Sequence, residues 1–266
     1  MTFSTMILRG RHKQIAQSIS SGKRLDGRRL TDFREFKIDT GIIESAEGSS
    51  RVLLGKTDVV VGIKIEVGEP FPDLPDKGVL TVNSEFSPIA SPTFRSGPPG
   101  ENSIELARVV DRGIRESNAI DLEKLCIIPG KKVFVIFVDI SIINHAGNLI
   151  DASAIASLAA LLNTKYSDYE VENDEIKIKS GYTQLPILNH PITVSVAKLE
   201  DKLVLDPSFE EEQVMEARLT ITVEDSGSVC AIQKSGSGYF NKQQILEAVK
   251  LTNEKIGDLR KIILED

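Results

Sequence analysis

The chain changes hydrophobic period several times, and each change predicts an element. Residues 5–20 read as a short helix closed by Ser20-Ser21-Gly22, and a loop from Lys23 to Arg29 follows. From Phe36 to Val67 the pattern is strand–turn–strand, with apolar runs at Val52–Leu54 and Val59–Ile65 on either side of Gly55. Another strand is predicted at Val79–Phe86. Ser96-Gly97-Pro98-Pro99-Gly100 then stops regular structure, and a helix begins near Asn102. Lys132–Ile143 is rich enough in Val, Ile and Phe to form a central strand. It turns through Asn144-His145-Ala146-Gly147-Asn148 into Leu149–Leu162, a helix apolar nearly all round and therefore buried on more than one side. A polar hairpin at 166–184 separates this half from strands at Ile192–Lys198, Leu203–Leu205, Arg218–Val223 and Val229–Gln233, and a last helix runs from Lys242 to Ile263. Strands followed by helix, twice over, with helices at both ends, give an α+β chain of two similar lobes. No linker or low-complexity tract divides them.

Two glycine motifs invite a nucleotide reading and fail it. Gly55-Lys56-Thr57 ends like a phosphate-binding loop, but six residues separate it from Gly48 where four are needed, and those six read as strand. Gly236-Ser237-Gly238 lacks the third glycine of a dinucleotide fingerprint and lies too near the C-terminus for a βαβ unit beyond it. No arrangement of Ser, Cys or His matches a nucleophile elbow or a protease signature.

The helix from 102 to 117 has the strongest local logic. Asn102 suits an N-cap, and Glu105 stands three residues on, the spacing of a capping box. Ala107, Val110 and Ile114 share one face with Leu106 beside them, while Arg108, Arg112 and Arg115 form a ridge on another. Three guanidinium forks on one ridge can hold successive phosphates bidentately. The same arginines can equally be a solvated face laced by Asp111–Arg115 and Arg112–Glu116 pairs, and these residues alone favour that reading.

Composition narrows the classes. The 266 residues are 41% hydrophobic and 27% charged, ordinary for a globular protein. No apolar run spans a bilayer and no signal-peptide core is present, so no membrane role and a cytoplasmic site are expected. Cys126 and Cys230 read as reduced thiols, and His12, His145 and His190 lack metal-ligand spacing, so neither metal nor cofactor is expected. The net charge of −7 hides an asymmetry: residues 1–34 carry eight Lys or Arg against two Asp, so the remainder is strongly acidic. The basic stretch either meets a polyanion or acidic partner, or is simply solvated.

Four stretches together resemble the RNase PH family, and within it the non-catalytic RNase PH-like subunits of archaeal exosome rings. They are Arg24-Leu25-Asp26-Gly27-Arg28; Gly97-Pro98-Pro99-Gly100-Glu101-Asn102 running on to Arg112; Leu205-Asp206-Pro207 with Glu210-Glu211-Glu212; and Gln233-Lys234-Ser235-Gly236. The resemblance implies the RNase PH fold: an N-terminal helix at 1–22, a first lobe at 23–188, and a second lobe with the C-terminal helix at 189–266. It also implies a hexameric ring in which the chain alternates with a catalytic relative, RNA passes through the centre, and RNA-binding cap subunits attach.

The departures from the catalytic pattern decide the expected role. Catalytic relatives hold inorganic phosphate at an Asp-Gly-Gly-Thr-Arg type turn; here the turn is His145-Ala146-Gly147-Asn148-Leu149, without the hydroxyl or the cation. Asp151 in the first turn of the following helix would repel a phosphate placed there. The family's aspartate pair is not reproduced at its spacing. Asp206, Glu210, Glu211, Glu212 and Glu216 either bind a divalent ion weakly or form an acidic loop held open by self-repulsion, with the loop favoured. The expectation is a subunit with no catalytic residues that binds RNA through Arg108 and Arg112, with Arg115 secondary because Asp111 is placed to hold it. It would structure the active site of its catalytic partner. The basic loop Lys23–Arg29 would steer RNA toward the channel. The alternatives are an active phosphate-dependent exoribonuclease and a scaffold that never touches RNA.

Overall fold

The computed structural model describes residues 3–172 and 175–265. In chain order the main elements are α1 (Phe3–Ser20), β1 (Phe36–Thr40), β2 (Gly48–Leu54), β3 (Thr57–Gly68), β4 (Val79–Phe86), α2 (Glu101–Glu116), β5 (Cys126–Ile128), β6 (Lys132–Asn144) and α3 (Leu149–Leu162). Then come β7 (Lys165–Glu172), β8 (Glu175–Gln184), β9 (Ile192–Leu199), β10 (Lys202–Leu205), α4 (Phe209–Glu212), β11 (Ala217–Val223), β12 (Val229–Ser235) and α5 (Lys242–Glu265).

The first lobe is a mixed sheet in the order β1-β2-β3-β6-β4, with β5 against β6. The β4–β6 pair is parallel and the others antiparallel. The second lobe is an antiparallel sheet in the order β10-β9-β11-β12. Among the described residues β7 and β8 pair with each other alone, as the polar hairpin the pattern predicts. The chain adopts an α+β architecture of two lobes with helices at both ends, as the pattern of its sequence predicts.

Helices α2 and α3 lie between the sheets: α3 packs on β2 and β3 on one side and β9 on the other, while α2 touches β4 and β12. That placement explains why α3 has no polar face; among its fourteen residues only Ala154 and Leu162 escape full burial. One continuous core joins Val61, Val138 and Ile140 of the first sheet to Leu158 and Leu161 of α3 and to Val194, Val196 and Ile221 of the second. A satellite cluster seats Ile15 and Ile19 of α1 on Ala197, Leu199 and Val204. Gly55, at φ +58°, makes the β2–β3 turn in a conformation that favours glycine, so Gly55-Lys56-Thr57 is a hairpin, as the sequence requires.

One local expectation fails. Helix α2 starts at Glu101, and its N-cap is Gly100 in extended conformation with no side-chain cap bond, not Asn102. The carbonyl of Gly100 receives the Ile104 amide at 3.0 Å, so the helix begins directly from the glycine. A capping box does occur, but at Ser208 and Glu211 around the single turn of α4.

Candidate nucleic-acid interface

Helix α2 buries Ser103, Leu106, Ala107, Val109, Val110, Gly113 and Ile114 and leaves Arg108, Arg112 and Arg115 exposed. The three arginines differ in what they touch. Arg115 is held by both oxygens of Asp111, at 2.7 and 3.2 Å, and donates to the carbonyl of Leu80 at 3.1 Å. Arg112 donates to Gln233 Oε1 of β12 at 2.7 Å, which orients it without neutralising it. The Arg112–Glu116 pair allowed by spacing is not formed among the described residues. Arg108 has no ion pair or hydrogen bond among the described residues, and it stands between two clefts. One, of 360 Å³, separates α2 from Val82 and Asn83 of β4; the other, of 320 Å³, runs along Arg112 to Gln233.

Arg95 is a residue that the ridge pattern does not reach. It is exposed, has no partner among the described residues, and borders a 620 Å³ cleft shared with Asn83, Asp139 and the loop Ser96–Gly100. Its only signal in the sequence is a lone arginine before a Gly-Pro loop, which periodicity cannot weigh.

The turn from His145 to Leu149 brings the two lobes together. Asn148 caps α3 in the left-handed region, at φ 53° and ψ 50°, a conformation asparagine tolerates better than most residues. Its backbone amide donates to Glu212 Oε1 at 3.0 Å. Its Nδ2 donates to Asp151 Oδ2 at 2.8 Å and Asp206 Oδ1 at 2.9 Å. The carbonyls of Ala146 and Gly147 receive Arg34 at 2.9 and 3.1 Å, and Thr57 Oγ1 reaches Gly147 O at 2.6 Å. Gly147, at φ +97°, is so close to α4's approach that a Cβ there would lie 2.4 Å from the Phe209 nitrogen and 2.7 Å from the Pro207 carbonyl oxygen. Carboxylates and backbone therefore close the Gly147–Asn148 side of the turn, while a 230 Å³ cleft lined by His145, Leu149, Glu212 and Arg218 stays open on its other side.

The electrostatics follow from burial. Asp151 is fully buried, and loss of hydration pushes its carboxyl up to about 6, against the hydrogen bonds from Ser195 and Asn148 that favour ionisation. Burial likewise pushes Glu212 up, opposed by Arg218 and by the Asn148 amide. For Asp206 burial also pulls upward, but bonds from Arg34 and Asn148 outweigh it and hold the carboxyl below its usual value. Burial and the Arg34 charge push His145 down to about 4, so it is a neutral ring, stacked on Phe94 with centroids 5.5 Å apart.

Two further expectations are corrected here. The acidic segment is not an open, self-repelling loop, because each carboxylate named next has a cationic partner. Asp206 pairs with Arg28 and Arg34, both at 2.7 Å, Glu211 forks onto Arg24, Glu212 faces Arg218 at 3.4 Å, and Glu216 meets Lys198 at 3.1 Å. Among the described residues no group of three or more metal-ligating side chains gathers. Conversely, most of the basic loop is already engaged: Arg24 is 3% exposed and also binds the carbonyls of Leu205 and Asp206, and Arg28 pairs with Asp26 and Asp206. Lys23, by contrast, is exposed with no ion pair among the described residues. Arg29, which remains exposed, pairs with Asp32. Opposite charges far apart in sequence meet and neutralise each other. The side chains of Arg9 and Arg11 lie outside the described residues.

No helix among the described residues is long and apolar enough to cross a membrane. Residues 32–167 match the model of the 3' exoribonuclease family, domain 1, and residues 189–255 that of domain 2. The chain is 51% identical over 253 residues to the exosome complex component Rrp42 of Thermococcus kodakarensis, covering 94% of this chain and 93% of that one. It is 50% identical over 248 residues to the Rrp42 component of Methanothermobacter thermautotrophicus, covering 93% and 92%. Its fold superposes with a TM-score of 0.88 and 43% identity on a chain of the Archaeoglobus fulgidus exosome with RNA bound to the active site, over 96% of this chain and 98% of that one. A chain of an archaeal exosome core gives a TM-score of 0.86 at 40% identity, over 98% and 99%. With both family domains matched in order on the two lobes, the chain belongs to the RNase PH family of 3' exoribonucleases.

Proposed function

We propose that the chain is a non-catalytic subunit of an archaeal exosome-type ring that degrades RNA from the 3' end in the cytoplasm. In this reading it alternates with a catalytic RNase PH-like relative in a hexamer, and RNA-binding cap subunits complete the assembly. The relatives' names and the two exosome structures support membership of such a complex. The observation that carries the non-catalytic role is the occupied turn: Glu212 takes the Asn148 amide, and the Pro207–Phe209 backbone fills the approach to Gly147. Phosphorolysis uses inorganic phosphate as nucleophile, and an anion entering here would meet Glu212, Asp206 and Asp151.

RNA contact is proposed through Arg108 and Arg112, with Arg95 beside them and Arg115 secondary. Arg108 and Arg95 are cations without partners among the described residues, whereas Arg115 already commits its guanidinium to Asp111. Guanidinium contacts to phosphate hold a strand in register without reading its sequence, so the chain serves cleavage next door by positioning.

The decisive assay incubates oligoadenylate, Mg²⁺ and phosphate with the purified chain alone and with its catalytic relative. Nucleoside diphosphate is expected only from the mixture. Release by the chain alone would establish the active phosphorolytic enzyme instead.

A further inference from the structure

Ahead of β4 the sequence repeats a three-residue phrase, Phe71-Pro72-Asp73 and then Leu74-Pro75-Asp76. Each phrase closes a β-turn. The Leu74 amide donates to the Phe71 carbonyl at 3.0 Å, and the Lys77 amide to the Leu74 carbonyl at 3.3 Å. Proline therefore sits at the second position of both turns, where its fixed φ suits the geometry. The loop is also tied at its base, by Gly130 N to Pro75 O and Gly78 N to Leu122 O, both at 2.8 Å.

This braced loop holds its apolar side chains in water. Phe71 is 49% exposed and Leu74 42%, with Val67 at 46% where β3 runs into the loop. Covering these side chains removes apolar surface from water, and two proline turns keep the entropy of ordering the loop low. The surrounding charge selects the kind of partner. Glu66, Glu69, Asp73 and Asp76 are exposed, and the loop's one cation, Lys77, is paired with Glu123 at 3.2 Å. Lys131, next to Gly130 at the loop's base, adds a second cation, but the four carboxylates outnumber the two, so the surface favours a basic protein over a phosphate backbone.

We propose that the loop at 66–78 is a docking site for a protein subunit presenting an apolar pocket bordered by lysine and arginine. Phe71 and Leu74 enter the pocket, and Asp73 and Asp76 meet its rim. The site lies near the Arg115 end of α2, because Arg115 reaches Leu80, three residues beyond the loop's last turn. A subunit docked here stands at one end of the arginine ridge. The inference rests on the proposed ring only in seeking the partner among the ring's fellow subunits.

The test titrates the ring, assembled with the catalytic relative, against each remaining subunit by calorimetry. One subunit is expected to bind, and to bind a Phe71→Ser, Leu74→Ser double variant at least about tenfold more weakly. The variant's melting temperature and RNA affinity stay unchanged. Asp73→Lys with Asp76→Lys is expected to weaken the same subunit and flatten the salt dependence of its binding. Equal affinity of the wild type and both variants for every subunit overturns the inference, as does photocrosslinking from a benzophenone at position 71 to RNA instead of protein. Loss of ring formation by the double variant would overturn it as well, since the loop would then be a contact within the ring and not a site for a further subunit. Failure of the wild-type chain to join its catalytic relative would count against the ring alone; the same titrations with the uncombined chain would still decide the loop.

Discussion

Glu212 Oε1 accepts the backbone amide of Asn148 at 3.0 Å, so a carboxylate from the second lobe caps the helix that begins in the first. The helix head where a phosphate-binding relative would place its anion carries an internal carboxyl group instead. Arg218, 3.4 Å from the same oxygen, keeps that carboxylate from being wholly uncompensated.

Removing this one carboxylate does not open a phosphate site. In Glu212→Ala the Pro207–Phe209 backbone still lies against Gly147, and Asp206 and Asp151 still take the Asn148 side chain. The variant is expected to show no phosphate-dependent release of nucleoside diphosphate from oligoadenylate. Any turnover above the wild-type chain would mean that Glu212 alone closes the turn.

Asp206 is the keystone of the contact between the loop at 23–34 and the second lobe. It is fully buried and takes Arg28, Arg34 and Asn148 at 2.7–2.9 Å. Asp206→Ala leaves the mostly buried Arg34 without a carboxylate and Arg28 with Asp26 alone, and losing one side of a buried ion pair costs about 3–5 kcal/mol. Urea unfolding of the variant should show that loss; a change below about 1 kcal/mol would mean that water replaces the carboxylate without penalty.

Asp151 and His145 give opposite pH dependences. Asp151 has its pKa raised from 3.8 to about 6. The folded chain thus holds this proton more tightly than the unfolded chain, and stability is lost as pH rises from about 4 through 6. His145 is lowered from 6.5 to about 4, so stability is lost as pH falls through that range. Each shift corresponds to roughly 3 kcal/mol, and between pH 4 and 6 the two largely cancel. Asp151→Asn is expected to be more stable than wild type at pH 8, with the difference vanishing near pH 4. Unfolding free energies measured across that range check it, and a pH-independent difference would refute it.

How far the sequence can be read depends on the distance over which each residue acts. The buried helix Leu149–Leu162 and the strand beginning at Lys132 are legible because their apolar patterns are local and long. Arg115's attachment to Asp111 is legible because four residues on a helix fix the geometry. Arg24 with Glu211 is not, since 187 positions separate partners that only the fold brings together. Each half therefore reads as a free charged loop, basic in one place and acidic in the other. The helix start reads two residues late because Asn102 has the right chemistry for a cap, while Gly100 has the backbone that takes the role. Arg95 escapes the pattern since a single arginine in a loop has no period to reveal it.

The arginine ridge yields the most direct test of RNA binding, because its members differ in how much charge they have left to offer. Arg108 is without a partner among the described residues, Arg112 is held only by a neutral amide, and Arg115 is already paired with Asp111. For a single strand, each phosphate that is no longer neutralised lowers the slope of log K against log salt by about 0.7. Arg108→Ala with Arg112→Ala should therefore weaken RNA binding by the assembled ring and flatten the slope by about 1.4. Arg115→Ala should leave the slope near wild type while weakening the helix by a few tenths of a kcal/mol. Fluorescence anisotropy with oligoadenylate over a salt series separates these outcomes. An unchanged slope in the double variant would remove α2 from the RNA path and leave the chain a scaffold; a drop in affinity in Arg115→Ala as large as at Arg108 would show that Asp111 releases its arginine when RNA arrives.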